Sequence, residues 1–136
     1  MTDILLDADA LVALTKENDS NHSRAIKIYQ NLKDKKTNFF LSPFTIPEVV
    51  TVLSYKMSHQ KAKEFLKEIR KTNLPVLSLG DDQLVDKWFE KQTKKGTSYF
   101  DCYNLALLDL YSEQIMGIFS FDKFYKKNGF KLALEL

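Results

Sequence analysis

Cysteine is nearly absent from this chain, and the single one, Cys102, has no partner for an internal disulfide. Extracellular disulfide-stapled scaffolds are thereby excluded, and a reducing compartment is expected. There are only two histidines, His22 and His59, too few and too far apart for a Cys/His zinc pattern. Catalysis by a Ser-His or Cys-His pair has little to work with. Glycine and proline number four and three, so neither a glycine-rich phosphate loop nor a disordered linker is present. No apolar stretch approaches the roughly 20 residues of a membrane span. The segment from Met1 to Leu14 carries three acids and too short an apolar run for a signal peptide, so a cytoplasmic protein with no membrane partner is expected. Repeats and low-complexity tracts are missing as well.

What remains is the composition of one soluble domain, with 44% hydrophobic and 28% charged residues over 136 positions. That length buries a core without help from disulfides or structural metal, and a single domain spanning 1–136 is expected. Lys and Arg number 20 against 18 acids, a net charge of +2. Most lysines read as solvated helix faces. If several acids are gathered into one pocket, however, the remaining surface is strongly basic and attracts phosphate backbones.

Short apolar runs alternate with helical periodicity. Ile4 to Leu6 reads as a strand ending at Asp7, followed by a helix on Ala10, Leu11, Ala13 and Leu14. A second helix starts near Ser20 and turns Ala25, Ile26, Tyr29 and Leu32 inward. Phe39 to Leu41 is a second strand. Pro47 suits the first turn of the next helix, where a missing N–H costs nothing. Ser58 is placed to cap a helix holding Ala62, Phe65, Leu66 and Ile69, and Pro75 to Leu79 reads as a strand. Asp81 or Asp82 caps a helix that buries Leu84, Val85, Trp88 and Phe89, and Gly96 breaks it. A helix with Phe100, Tyr103, Leu105, Ala106 and Leu108 on its apolar face comes next. Ile115 to Phe119 forms a strand leading to Asp122, and Lys131 to Leu134 a short last one. The alternation predicts an α/β fold with a central, mostly parallel, four- or five-stranded sheet and helices on both faces.

In open sheets of this kind ligands sit beyond the carboxyl ends of the strands. Asp7 and Asp122 fall at two such ends, and Glu48 and Asp101 in the first turns of helices. Each acid has a plainer role available to it. Thr45-x-x-Glu48 and Ser98-x-x-Asp101 both have capping-box spacing, and Asp7 and Asp122 suit the positive ends of helices. The conjunction is what points to a site, because four segments each deliver an acid to the same edge of the sheet. Two carboxylates about 5 Å apart repel by roughly 3 kcal/mol at an effective dielectric near 20, so a cluster needs a counter-charge. No lysine or arginine adjoins Asp7, Glu48 or Asp101 in sequence, and an oxygen-seeking cation, Mg²⁺ or Mn²⁺, answers the need. Such a site can activate water and stabilise the leaving 3′ oxygen of a phosphodiester.

These residues resemble PIN-domain nucleases, and most closely the VapC-type toxins of bacterial toxin–antitoxin pairs. The run Leu5-Leu6-Asp7-Ala8-Asp9-Ala10-Leu11 is similar to the family's first acidic motif, and Asn21-His22-Ser23-Arg24-Ala25 to its second-helix lead-in. Ser42 to Glu48 before Val49, Ser98-Tyr99-Phe100-Asp101, and Ser120-Phe121-Asp122 before Phe124 resemble the remaining motifs, in order and over nearly the whole chain. The resemblance implies a three-layer PIN fold and a Mg²⁺- or Mn²⁺-dependent endoribonuclease with Asp7, Glu48, Asp101 and Asp122 as metal-holding catalytic residues. Asp9 is a further ligand candidate. It also implies a homodimer and inhibition by a small antitoxin protein. A housekeeping RNA-processing PIN nuclease and a non-catalytic PIN-like binding module are the alternatives within that fold. Outside it, Asp7-x-Asp9 with Gly80-Asp81-Asp82 also resembles the haloacid dehalogenase-type phosphatases. Cys102 is expected to be a small buried hydrophobe, His22 a helix-start residue and His59 a solvated one. The RNA that is cut is not written in the sequence.

Overall fold

The computed structural model describes residues 2–136; Met1 lies outside them. Its centre is a parallel sheet of three strands in the order β2-β1-β3, with β1 at Asp3–Leu6, β2 at Asn38–Phe40 and β3 at Ile115–Phe119. Parallel strands need crossover connections, and here the crossovers are helices. Helices α1 (Ala8–Thr15) and α2 (His22–Asp34) join β1 to β2. Between β2 and β3 run α3 (Thr45–Lys56), α4 (His59–Thr72), α5 (Gln83–Lys91) and α6 (Tyr99–Leu110), and the short α7 (Phe124–Lys127) follows β3.

Side chains on a strand alternate between faces, and β1 uses this to found two cores. Ile4 and Leu6 pack with α1 to α4, whereas Leu5 packs with α5, α6 and Tyr125 of α7. The two cores make the outer layers on either side of the sheet. Helix α6 is the most deeply set, since every residue from Cys102 to Leu108 is buried.

The sheet is narrower than the four or five strands expected from the sequence. The segments read as outer strands each contribute one parallel bridge, Leu41 with Val76 and Ile118 with Leu132. At the first, the Leu41 N–H donates to the Pro75 carbonyl and the Leu77 N–H to the Leu41 carbonyl. The ladder stops there because Pro43 has no N–H to offer and the Leu79 N–H donates instead to the Tyr103 hydroxyl at 2.8 Å. At the second, the chain turns at once into a 3-10 turn over Ala133–Glu135. The approach of Lys131 to β3 requires Gly117, where a Cβ would stand 2.5 Å from the Lys131 carbonyl oxygen.

Three aromatic residues expected to point inward do not. Tyr29, Phe89 and Phe100 are exposed, with Tyr29 stacked on Phe39, Phe89 against Tyr99 and Phe100 against Phe44. Gly96 does not end α5, which stops at Lys91; it turns the following loop with a φ of 84°. Ser58 caps α4 by accepting the Lys61 N–H.

Candidate active site

All five acids singled out in the sequence line one cavity of about 320 Å³, beyond the carboxyl end of the sheet. Asp19, Asn21 and Lys56 join them in its wall. Asp7 follows β1 directly, and its N–H donates to the Phe119 carbonyl, which ties the end of β1 to the end of β3. Its carboxylate is buried, and both oxygens have hydrogen-bond partners. Oδ1 accepts from the Ala8 N–H at 2.8 Å and from Asn104 Nδ2 at 3.3 Å, and Oδ2 from Ser120 Oγ at 2.9 Å. Asp7 therefore caps α1 and belongs to the pocket at once.

Asp9, in the first turn of α1, presents Oδ2 to Ser120 Oγ at 3.2 Å and to the Phe121 N–H at 3.0 Å. Its Oδ1 is buried without a hydrogen-bond partner. Asp122 lies in the loop after β3. Its Oδ1 accepts the Phe124 N–H, an aspartate turn that orders the start of α7, and its own N–H donates to Ser120 Oγ. Ser120 thus stands among three aspartates with one hydrogen to donate and two carboxylates to receive it. In the metal-free protein the second contact is satisfied when Asp7 or Asp9 carries a proton.

The capping-box roles open to Glu48 and Asp101 are not taken up. Thr45 is already inside α3 and its hydroxyl pairs with Ser42 at 3.1 Å, so it does not cap the helix for Glu48 to reach back to. Ser98 does cap α6 by accepting the Asp101 N–H, but the Asp101 carboxylate turns to the Tyr125 hydroxyl at 3.2 Å. Tyr125 in turn accepts from Asn104 Nδ2 at 3.0 Å, so a polar chain links Asp7 to Asp101 through the floor of the cavity.

Crowding and burial shift these groups together. Burial, then the charge of Asp9, raises the Asp7 carboxyl to about 7. Burial likewise raises Asp9 to about 6. Asp101 is raised to about 6 by burial and then by Asp7, and Glu48 is raised by burial and then by Asp101. Burial and the same aspartates hold the Tyr125 phenol well above its ordinary value, which keeps its proton available to Asp101. Among the described residues no lysine or arginine forms an ion pair with any of the five acids; the three ion pairs are Lys61–Glu64, Lys71–Glu68 and Lys126–Glu135.

Also among the described residues, no group of three or more acids, histidines or cysteines closes into a metal cage. The donors fit an open site instead. Asp9 Oδ1 is a buried carboxylate oxygen in want of a partner, and Glu48, Asp101 and Asp122 each keep an oxygen free of protein hydrogen bonds. Hard cations such as Mg²⁺ accept this arrangement, taking one or two carboxylates and keeping several waters.

Asn104 and Tyr125 were not singled out by sequence reasoning. Asn104 sits three residues after Asp101, which places both on one face of α6. No comparable signal marks Tyr125. Ser120 was read only as part of a motif, and its hub position is a property of the fold. His22 begins α2 and contacts the Ala13 carbonyl through Nδ1 at 2.7 Å, and Cys102 is buried in the core. Asp81 and Asp82 are exposed at the start of α5 and do not line the cavity.

No curated protein matches the chain in sequence. Among solved structures, the Mycobacterium tuberculosis toxin VapC20, described as cleaving the Sarcin-Ricin loop, superposes with a TM-score of 0.77 at 20% sequence identity. The match covers 94% of this chain and 96% of that one. The PIN domain family model matches residues 4–131, and the chain belongs to the PIN domain family.

Proposed function

We propose that this protein is a metal-dependent endoribonuclease of the VapC toxin kind. One observation carries the reading: five carboxylates from four segments of the chain line one cavity, Asp7, Asp9, Glu48 and Asp101 with raised proton affinities, and among the described residues no cationic side chain forms an ion pair with any of the five. Such an arrangement is costly to keep unless a cation is bound.

Asp7, Asp9, Glu48, Asp101 and Asp122 are the residues that would hold Mg²⁺ or Mn²⁺. A bound divalent ion supplies a nucleophilic water and charge stabilisation for the leaving 3′ oxygen. The protein supplies orientation. Ser120 and Asn104 fix the Asp7 carboxylate, and Tyr125 aims Asp101. Glu48, exposed at the rim, is placed to meet incoming water or substrate. Lys56 offers the wall of the cavity a single positive charge for a phosphate oxygen.

VapC20 is described as a Sarcin-Ricin loop cleaving toxin, which favours a nucleic-acid-cutting toxin role here, with RNA as the substrate. In that role the chain acts in the cytoplasm as a homodimer and is silenced by a small antitoxin. A guanidinium on the antitoxin can pair with two of the crowded carboxylates and displace the metal. Among the described residues no helix is long and apolar enough to cross a membrane. The phosphatase alternative loses support, because Asp81 and Asp82 lie outside the cavity.

The test is cleavage of total cellular RNA by purified protein with Mg²⁺ or Mn²⁺, with EDTA, and with Asp101→Asn. Cleavage that survives EDTA or matches wild type in the variant rejects the assignment. Expression of wild type and Asp101→Asn from an inducible promoter then separates a toxin, which arrests growth only in its wild-type form, from a housekeeping nuclease.

A further inference from the structure

An apolar groove of about 280 Å³ adjoins the acid cavity and shares Glu48 and Val52 with it. Phe44, Pro47, Thr51 and Phe100 complete its lining. Three rings stand in a row here. Tyr103 is buried and anchored by accepting the Leu79 N–H, Phe44 lies edge-on to it at 4.9 Å, and Phe100 packs on Phe44 at 5.0 Å. The row ends on Phe100, half exposed. The two exposed rings are tied to acids of the cavity. Phe100 precedes Asp101 in the first turn of α6, and Phe44 caps α3 one turn before Glu48, whose N–H donates to the Phe44 carbonyl.

Resting on the ribonuclease reading, we propose that this ring row is a base-stacking subsite, taking the nucleobase next to the scissile phosphate and so requiring an unpaired nucleotide there. The groove suits such an occupant. Glu48 is its one charged residue, and Asp101 lies beside it, so a phosphate is repelled while a neutral planar base is not. Stacking on aromatic side chains is the general means by which proteins hold unpaired bases, and it needs only a fixed ring with a free face. Phe100 has both. A base seated there brings its own phosphate toward the carboxylates, because ring and acid leave the same helical turn. A base inside a duplex cannot reach the groove without first leaving its stack.

The experiment compares wild type, Phe100→Leu and Phe100→Trp. Leucine keeps the apolar volume without the ring, and the exposed position spares the fold. The first readout is binding of a short single-stranded RNA carrying a fluorescent purine analogue, in Ca²⁺, with quenching as the sign of stacking. The second is KM and kcat for cleavage in Mg²⁺ or Mn²⁺ of RNA spanning a mapped cut site, with and without an abasic position beside the cut. Expected are quenching by wild type and Phe100→Trp but not Phe100→Leu, and a KM about tenfold higher for Phe100→Leu. That difference should vanish on the abasic RNA, as a purely structural effect would not. Cleavage by wild type with equal KM and equal quenching in Phe100→Leu overturns the subsite and leaves the nuclease reading standing. Quenching without any cleavage by wild type overturns the nuclease reading and the placement beside a scissile phosphate, and leaves only a base-binding ring row. Neither binding nor cleavage overturns both. If sedimentation shows that Phe100→Leu splits a dimer, the ring row is a contact between copies of the chain and the subsite is rejected.

Discussion

The Tyr125 hydroxyl donates to Asp101 Oδ1 across 3.2 Å, joining α7 to the first turn of α6 over 24 positions of sequence. Tyr125 touches the carboxylate from the side opposite to solvent, where it is fully buried. Its role is to aim Asp101. Replacement by phenylalanine keeps the ring but removes both the bond to Asp101 and the acceptor for Asn104 Nδ2. Outer-shell changes of this kind cost about 10- to 100-fold in metal affinity or activity. Mn²⁺ titration of Tyr125→Phe should show weaker binding, with cleavage reduced in parallel at subsaturating metal. Unchanged affinity would mean that Asp101 is positioned by its own helix alone.

Metal addition should stabilise the fold. A ligand that binds only the folded state contributes about 2.7 kcal/mol at a hundred times its Kd, enough to raise the melting temperature by several degrees. Calorimetry with Mg²⁺, Mn²⁺ and EDTA measures this. The increase should be lost in Asp7→Asn/Asp101→Asn, whose amides fill the same space without the charge.

The pH dependence of the metal-free protein follows from the direction of the shifts. Asp7, Asp9 and Asp101 bind protons more tightly when folded, with values of about 7, about 6 and about 6 against ordinary values near 4. Between pH 4 and 7 the folded state therefore carries more protons than the unfolded one, and stability falls as pH rises through that window. Below the ordinary values both states are protonated and nothing further is gained from these groups. Denaturant titrations in EDTA should show this slope, and saturating Mn²⁺ should flatten or invert it, because protons and metal compete for the same oxygens. A metal-free stability that climbs steadily from pH 4 to 7 contradicts the assignment of raised affinities.

Gly117→Ala should destabilise the fold by about 1–3 kcal/mol, since its Cβ meets the Lys131 carbonyl oxygen and that atom cannot rotate away. Urea unfolding reads this directly. A smaller cost in a truncated chain lacking 131–136 would locate the clash at that contact.

Much of the site was legible because its acids sit where periodicity changes. Asp7 ends an apolar run and begins a helix, and Asp101 follows a serine that caps one. Glu48 was legible for the same reason, though its supposed cap partner Thr45 proved to be inside the helix. Asn104 and Tyr125 were not, since a single Asn on a buried helix and a Tyr among lysines look like packing until the fold brings them within 3.0 Å of each other. The sheet was misjudged at its margins for a related reason. Pro75 to Leu79 has strand composition, but whether a strand forms depends on its neighbour, and Pro43 withholds the donor the ladder needed. Exposed rings such as Phe100 defeat pattern reading altogether, because hydrophobicity marks a side chain as buried and says nothing of one left on the surface.

The tie between Asp7 and the end of β3 also sets a timetable. A ribosome makes the chain from its amino end, so Asp7 and Asp9 appear more than a hundred residues before Ser120, Phe121 and Tyr125. Strand β1 cannot take its central place until β3 has been synthesised to lie beside it, and the Asp7 N–H finds its partner only when Phe119 arrives. Until then the acids are scattered along an unfinished polypeptide and hold no common shape. Under the nuclease reading, the cavity therefore cannot gather its carboxylates before β3 and the Asp122 loop behind it have been made.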